Sequence, residues 1–163
     1  MSSKVAACAV VEYTFSTFGM NTQTVQLPGI LWDHATDLSS RAVQARLSPA
    51  AIRAFFRVAQ AWKLRDEDAR ALLGGISNGA FYNLKNQAAK KLDQDRLTRI
   101  SLLIGIFKAL NILYSRKLAN AWVQLANNNP VFSGGTPLVY MLKGGLPAML
   151  RVRQLLDARR GGV

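Results

Sequence analysis

The amino-acid sequence predicts an all-α protein with an irregular N-terminal arm. From Leu47 onward, apolar residues recur at the three- and four-residue spacing of helices that bury one face. Serine, threonine and proline stand where these periodic segments begin, and glycine or an Asn-Pro pair stands where they end. Residues 1–46 show no sustained period. We therefore expect the helical body to begin after them.

Three closely spaced helices are expected directly after the arm. In the Ser48-Pro49 pair, serine is a favourable N-cap and proline suits the first helical position, so the first helix is predicted to run from there to about Lys63. The carboxylates at 66–68 favour the positive end of a second helix, which reaches the Gly74-Gly75 turn. Ser77 then caps a third helix.

The second and third helices, with the glycine turn between them, have the outline of a helix-turn-helix unit. Such a unit needs a small residue where its helices touch, a turn glycine, and apolar residues that hold the recognition helix from behind. These roles can be filled by Ala71, Gly75, Ile76, Phe81 and Leu84. The opposite face would offer candidate base contacts at Ser77, Asn78, Tyr82 and Asn83, and candidate phosphate contacts at Lys85, Lys90 and Lys91. An ordinary helical hairpin within a core is the alternative.

Two further helices are expected before a break in the chain. The longest periodic segment runs from Arg96 to Tyr114 and predicts a long fourth helix. Its apolar face is formed by Leu97, Ile100, Leu103, Ile104, Phe107, Leu110 and Leu113. Ser115 to Leu125 predicts another helix, which ends before the Asn127–Pro130 break.

The C-terminal stretch predicts two short helices. Thr136 is a good N-cap before Pro137, and Gly144 is expected to end the first helix in a left-handed C-cap. Pro147 suits the first turn of the second helix, which Gly161 ends. Helices this short cannot hide their apolar stripe by themselves, so the stripe must pack on the rest of the chain, on a partner, or on both.

These patterns divide the chain into three regions. Residues 1–46 are the irregular arm, residues 47–114 are a helix-turn-helix region with its long connecting helix, and residues 115–163 are a helical C-terminal region. An abrupt change of composition at Met20 raises the hypothesis that translation starts there.

Positive charge is concentrated toward the C-terminus. The chain has 21 Lys and Arg against 9 Asp and Glu, a formal net charge of +12. Residues 1–47 carry three of each sign, whereas residues 94–163 carry ten basic and two acidic side chains. The excess points to a nucleic acid or an acidic protein as partner, and a solvated cationic surface without a specific partner is the alternative.

Residues typical of catalysis or metal binding are few. His34 is the only histidine and Cys8 the only cysteine, so we expect neither a disulfide within the chain nor a cysteine-based metal site. His34 is interpreted as a surface or packing residue, and the carboxylates at 66–68 as helix capping. The run from Leu102 to Phe107 is far short of the ~20 residues that a membrane span needs. We expect a cytoplasmic protein that is not an enzyme and has no cofactor, no metal and no membrane contact.

Two sets of residues together resemble the Xre/MbcA/ParS antitoxin family. The first set is the Gly-Ile-Ser turn at 75–77 with Phe81-Tyr82 and Leu84, followed by the long apolar helix. The second and more specific set is Asn129-Pro130, Gly134-Gly135-Thr136-Pro137-Leu138, Leu142, Gly145, Val152, Leu155-Leu156 and Gly161. The resemblance covers roughly Leu47 to Gly162.

The resemblance implies an antitoxin of a bacterial type II toxin-antitoxin system, paired with a RES-domain toxin that consumes NAD. It implies that the C-terminal region binds the toxin and covers its active site, and that the complex represses its own operon by binding the promoter. DNA contact falls on Ser77 to Asn86, and toxin contact on Gly134 to Lys143 and on the basic helix ending at Gly161. The candidate toxin-binding residues are Thr136, Tyr140, Lys143, Arg151, Arg153, Arg159, Arg160 and Gly161.

Two alternatives to this interpretation stay open. Basic side chains after Lys143 commonly solvate the outer face of an amphipathic helix without meeting a partner. The charge and the helix-turn-helix outline also fit a free-standing transcriptional repressor or nucleoid-associated protein without a toxin. A two-fold homodimer is expected, because helix-turn-helix units usually read paired half-sites. With the toxin, this homodimer would form part of a hetero-oligomeric complex.

Overall fold

A computed structural model of the chain describes residues 37–86 and 91–161. The described residues form six α-helices and no strand, which confirms the all-α prediction. The helices are α1 (Arg41–Ala61), α2 (Asp66–Leu72), α3 (Asn78–Asn86), α4 (Gln94–Leu113), α5 (Arg116–Ala121) and α6 (Pro137–Arg160), with a short 3-10 helix at Trp122–Gln124 after α5. Cys8, Met20, His34 and Lys90 lie outside the described residues.

The predicted start of the first helix at Ser48 is wrong. Helix α1 begins at Arg41, after Ser40, and Pro49 lies inside it. The Ser48 side chain is buried: its hydroxyl accepts a hydrogen bond from the Leu92 backbone N–H at 2.8 Å and donates to the Gln44 carbonyl. Ser48 therefore joins α1 to the segment before α4. The local sequence around Ser48 predicts a helix cap because it carries no information about a contact with a residue 44 positions away.

Helix α4 is the central helix of the described residues, since it packs against both α1 and α6. The predicted apolar positions Leu97, Ile100, Leu103 and Leu110 are buried. Ile104, Phe107 and Leu113 are only half-buried, and the additional buried positions are Ile106 and Ala109. Because α4 has neighbours on more than one side, its buried surface is wider than a single periodic stripe.

One hydrophobic core includes side chains from both the 47–114 and the 115–163 regions. The fully buried aromatic residues Phe55, Trp62 and Phe81 belong to the same core as Met141, Met149 and Val152 of α6. The Gln124 side-chain amide also donates to the Trp62 carbonyl at 2.5 Å, which joins the segment after α5 to the end of α1. The apolar stripe of the C-terminal helices thus packs on the rest of the chain. The boundary predicted between the 47–114 and 115–163 regions concerns their separate functions and stays a prediction.

Helix α6 consists of two helical arms joined by a kink. The predicted cap is confirmed, because the Thr136 hydroxyl accepts a hydrogen bond from the Val139 backbone N–H at 3.2 Å and Pro137 occupies the first helical position. The predicted left-handed break at Gly144 is displaced by one residue: Gly145 has φ 59° and ψ −141°. Gly144 is required for a different reason, since a Cβ there would lie 2.6 Å from the Ala148 Cβ.

Candidate nucleic-acid interface and C-terminal groove

The turn between α2 and α3 contains two successive residues in the left-handed region. Gly74 has φ +91° and Gly75 has φ +74°, a pair of conformations that glycine adopts without steric strain. The Gly75 backbone N–H donates to the Arg70 carbonyl at 2.9 Å, and Arg70 Nε donates to the Ile76 carbonyl at 3.1 Å. The doubled glycine is therefore a structural requirement of this turn, and it places Ser77 at the start of α3.

The apolar residues predicted to hold α3 from behind are buried, but Ala71, the small residue predicted at the helix contact, is exposed. Ile76, Phe81 and Leu84 are at most 5% exposed. Ala71 lies on the exposed side of α2, whereas Ala69 is 2% exposed. Two residues along a helix turn the side chain by about 200°, so Ala69 faces the core when Ala71 faces away from it.

The outer side of α3 carries the candidate DNA contacts that the sequence predicts. We define the α3 face as Ser77, Asn78, Tyr82, Asn83 and Lys85, all of which are exposed. Ser77 Oγ accepts a hydrogen bond from the Ala80 backbone N–H at 3.2 Å, so this side chain also caps the helix. The Asn78 side-chain oxygen lies 3.3 Å from Arg70 Nη1, from which it accepts a hydrogen bond. Among the described residues, Asn83 has no hydrogen-bond partner and is free to meet a base edge.

The carboxylate of Asp66 lies at the edge of the α3 face. The Tyr82 hydroxyl donates to Asp66 Oδ2 at 3.1 Å, and Lys85 Nζ lies 3.9 Å from Asp66 Oδ1. Lys85 also lies 5.9 Å from the centre of the Tyr82 ring. The sequence pattern indicates only helix capping for the acidic residues at 66–68, because a contact across 16 residues has no local signal. Asp66 therefore contacts the Tyr82 hydroxyl and Lys85 Nζ, two groups that could otherwise contact a phosphate.

Arg65 is paired within the chain. Its Nε and Nη2 atoms donate to the two carboxylate oxygens of Asp68 at 2.9 and 3.1 Å, and this hydrogen-bonded pairing raises the pKa of the Arg65 guanidinium. The bidentate geometry leaves this arginine less available than Lys85 or Lys91 for a phosphate contact. Lys91 is exposed in the segment that follows α3.

The variant Asp66→Asn is expected to bind duplex DNA about fivefold more tightly than the wild-type chain. Removing one carboxylate from beside the phosphates relieves about 1 kcal/mol of repulsion in water and releases Lys85. Titration of a labelled duplex at low salt measures the effect. Glu67→Gln removes the same charge from the neighbouring exposed residue and should change affinity less; equal effects of the two variants would rule out a specific role for Asp66.

A groove at the kink of α6 brings together three of the predicted toxin-binding residues. The groove has a cavity volume of about 540 Å³ and is lined by Tyr140, Lys143, Gly144, Pro147, Ala148 and Arg151. Lys143 and Arg151 are exposed, so two cations stand beside an apolar floor. We call this feature the kink groove.

Aromatic side chains behind the kink groove fix the position of Tyr140. Its ring packs edge-on against Phe132, with ring centroids 5.5 Å apart and an interplanar angle of 86°. Phe132 packs in the same manner on Trp122, at 5.8 Å and 81°. These perpendicular arrangements are favourable for aromatic pairs and connect the groove to the hydrophobic core.

The other predicted toxin-binding residues do not lie in this groove. The Arg153 side chain crosses α4 at Gly105, where a Cβ would overlap its guanidinium, and Arg153 Nε donates to Asp157 Oδ2 at 2.7 Å. Thr136 is the helix cap, and Arg159 Nη1 donates to the Tyr114 hydroxyl at 3.1 Å. Arg160 and Gly161 are exposed at the end of α6.

The basic residues of α6 consequently do not form one face. Arg160 lies nine positions after Arg151, which corresponds to about 14 Å along the axis and about half a turn around it. The kink groove and the end of α6 are therefore two separate basic surfaces. Spacing alone could have indicated this separation, but it could not show that Arg153 is held against Gly105.

Clusters of metal-ligating side chains were sought in the described part of the chain. Among residues 37–86 and 91–161, no group of three or more His, Cys, Asp or Glu side chains is placed to hold a metal ion. Within those same residues, no helix combines the length and apolar character that crossing a membrane demands. Two surfaces of the described residues carry predicted binding residues: the α3 face and the kink groove.

The fold and the α3 face define a helix-turn-helix protein, a class that binds DNA. The sequence model of the antitoxin Xre-like helix-turn-helix domain matches residues 38–105, a span that contains α1 to α3 and more than half of α4. The uncharacterized protein y4oB of Sinorhizobium fredii (strain NBRC 101917 / NGR234) is 38% identical over 125 residues, which are 76% of this chain and 95% of that relative. The chain belongs to the Xre-type antitoxin family. Proteins with this domain have, in general, DNA and a toxin as partners, and the family is typically non-enzymatic.

Proposed function

We propose that the chain is the antitoxin of a RES-domain toxin, an enzyme that consumes NAD, and that it acts in two ways. Its C-terminal region covers the active site of the toxin, and its α3 face binds the promoter of its own operon and represses transcription. The single observation that carries the proposal is an antitoxin-type helix-turn-helix domain whose exposed helix is followed by a separate basic groove on the same chain.

The DNA half of the proposal is supported by the chemistry of α3. Exposed asparagine side chains can contact adenine in the major groove with two hydrogen bonds, and Asn78 and Asn83 are five residues apart on the exposed side of one helix. The lysines at the end of α3 and after it add affinity without sequence information. A homodimer would present two such helices to half-sites about 34 Å apart.

Replacing both asparagines, as Asn78→Ala with Asn83→Ala, is expected to reduce the preference for operator over unrelated duplex by at least roughly tenfold. Each well-placed bidentate contact contributes about 1–3 kcal/mol of discrimination, and about 1.4 kcal/mol corresponds to a factor of ten. Competition between the two duplexes at fixed salt measures this preference.

Lysine variants provide the matching control for the asparagine pair. Lys90→Gln with Lys91→Gln should weaken binding to every duplex and should flatten the salt dependence, because phosphate contacts carry no sequence information. If the asparagine and lysine pairs reduce binding equally on all sequences, the assignment of α3 as the recognition helix is wrong.

The toxin half is supported by the kink groove, where Lys143 and Arg151 flank an apolar floor. Exposed cations beside an apolar surface suit a partner that offers acidic and apolar groups together. Co-expression with the product of the adjacent reading frame tests this half directly. Growth arrest by that product alone, relieved by this chain in a stable complex, is the expected result. A chain that binds the operator but forms no such complex would instead be a free-standing repressor.

A further inference from the structure

Helix α1 carries a stripe of arginines that the DNA and toxin surfaces do not include. Arg46, Arg53 and Arg57 are spaced by seven and four residues, which places their side chains within about 40° of one another around the helix axis. All three are exposed. The sequence of α1 from Arg41 to Ala61 contains no Asp or Glu. We call these three residues the arginine stripe.

The arginine stripe differs in its surroundings from the ion-paired arginines of the chain. Four arginines elsewhere in the helical body have a carboxylate three or four residues away within ion-pair distance: Arg65, Arg96, Arg99 and Arg153. Among the described residues, no member of the stripe has a carboxylate within that distance. A surface that only keeps the protein soluble would carry charges of both signs. A row of arginines without neighbouring carboxylates therefore points to an anionic binding partner.

The end of the stripe formed by Arg53 and Arg57 adjoins the α3 face. Arg53 and Arg57 of α1 and Lys85 of α3 line the same cleft, which has a volume of about 680 Å³ and includes Phe56 and Phe81 among its apolar walls. The acidic residue that lines the cleft is Asp66, to which Tyr82 donates a hydrogen bond. Positive charge therefore continues from the recognition helix across the cleft to α1.

We propose that the arginine stripe binds phosphates of duplex DNA flanking the bases that the α3 face contacts. This proposal rests on the proposed DNA binding. From Arg46 to Arg57 the stripe extends about 16 Å along α1, a length over which one DNA strand presents about five phosphates. Guanidinium groups suit such a row because they can donate two hydrogen bonds to one phosphate. A linear row of cations beside the recognition helix fits a duplex backbone better than it fits a compact acidic protein.

The test is the double variant Arg53→Gln with Arg57→Gln, titrated with operator and with an unrelated duplex between 50 and 200 mM salt. Two lost phosphate contacts should reduce the slope of log affinity against log salt by about two units and weaken both complexes about tenfold or more at 0.1 M salt. The preference for operator over the unrelated duplex should not change. Arg116→Gln with Lys117→Gln removes the same charge from exposed positions of α5 and is the matched control.

Three results would overturn the proposal. A salt slope equal to that of the wild-type chain, or equal to that of the α5 control, would exclude phosphate contact by the stripe while leaving operator binding by α3 intact. Unchanged DNA binding with weaker toxin binding would assign the stripe to a protein partner. A wild-type chain that binds no duplex at all would remove the proposed DNA-binding function together with this extension. The thermal unfolding midpoint should match that of wild type, because the exchanged side chains are exposed.

Discussion

Reversing the charge of the kink groove, with Lys143→Glu and Arg151→Glu together, is expected to weaken toxin binding at least roughly 100-fold and to abolish protection of growing cells. Both side chains are exposed at the rim of the groove, so the change should leave the fold intact. Juxtaposing like charges across an interface costs several kcal/mol, and about 1.4 kcal/mol corresponds to a factor of ten in affinity. Titration of the purified toxin and growth of cells expressing both proteins measure the two effects.

The matched control for this reversal is Arg116→Glu with Lys117→Glu. It changes the net charge equally but at exposed positions of α5 outside the groove. Protection by the control with loss of protection by the groove variant would assign the effect to the site and exclude a general effect of charge. Full protection by the groove variant would show that toxin contact lies elsewhere, for example at the Arg160 end of α6.

Gly145→Val is expected to lower the free energy of unfolding by about 2–3 kcal/mol and the midpoint of thermal unfolding by roughly 5–10 °C. The backbone at Gly145 has φ 59° and ψ −141°, a region that is close to glycine-only and especially unfavourable for a β-branched residue. The kink also sets the angle between the two arms that line the groove. The variant should therefore protect cells less well than its remaining folded fraction alone would predict.

Gly79→Ala is the control for the kink variant. A Cβ at Gly79 would meet nothing within 4 Å, and this residue is helical, so the change should be neutral or stabilising by up to about 1 kcal/mol. Thermal unfolding followed by circular dichroism measures both variants. A Gly145→Val protein that unfolds at the wild-type temperature would contradict the account of the kink.

Local signals predicted most of the helical elements. The acidic start of α2, the Ser77 cap of α3 and the Thr136-Pro137 start of α6 are set by neighbouring residues, and all three are found where the sequence places them. The start of α1 differs from the predicted one because Ser48-Pro49 carries a strong local capping signal, whereas the Ser48 hydroxyl accepts a hydrogen bond from the distant Leu92 backbone N–H. Tertiary contact overrode local preference at that position.

For the candidate sites, the exposed residues of α3 could be predicted from the sequence, whereas contacts between distant residues could not. The exposed side of α3 follows from the apolar period of the same helix, and the structure places all five residues of the α3 face at the surface. The contact between Asp66 and Tyr82, and the crossing of Arg153 over Gly105, join residues far apart in sequence and need the fold. The arginine stripe had a signal in its seven- and four-residue spacing, but only the shared cleft with Lys85 connects it to the recognition helix.

We propose that the chain carries two separable binding surfaces, the α3 face for DNA and the kink groove for the toxin. The most direct measurement is a paired binding assay of wild type, the Asn78→Ala with Asn83→Ala variant and the Lys143→Glu with Arg151→Glu variant against operator DNA and purified toxin. Wild type is expected to hold operator and toxin in one complex. The first variant should lose only the preference for operator, and the second should lose only toxin binding. Loss of both partners by either folded variant, or mutual exclusion of DNA and toxin on wild type, would contradict this proposal.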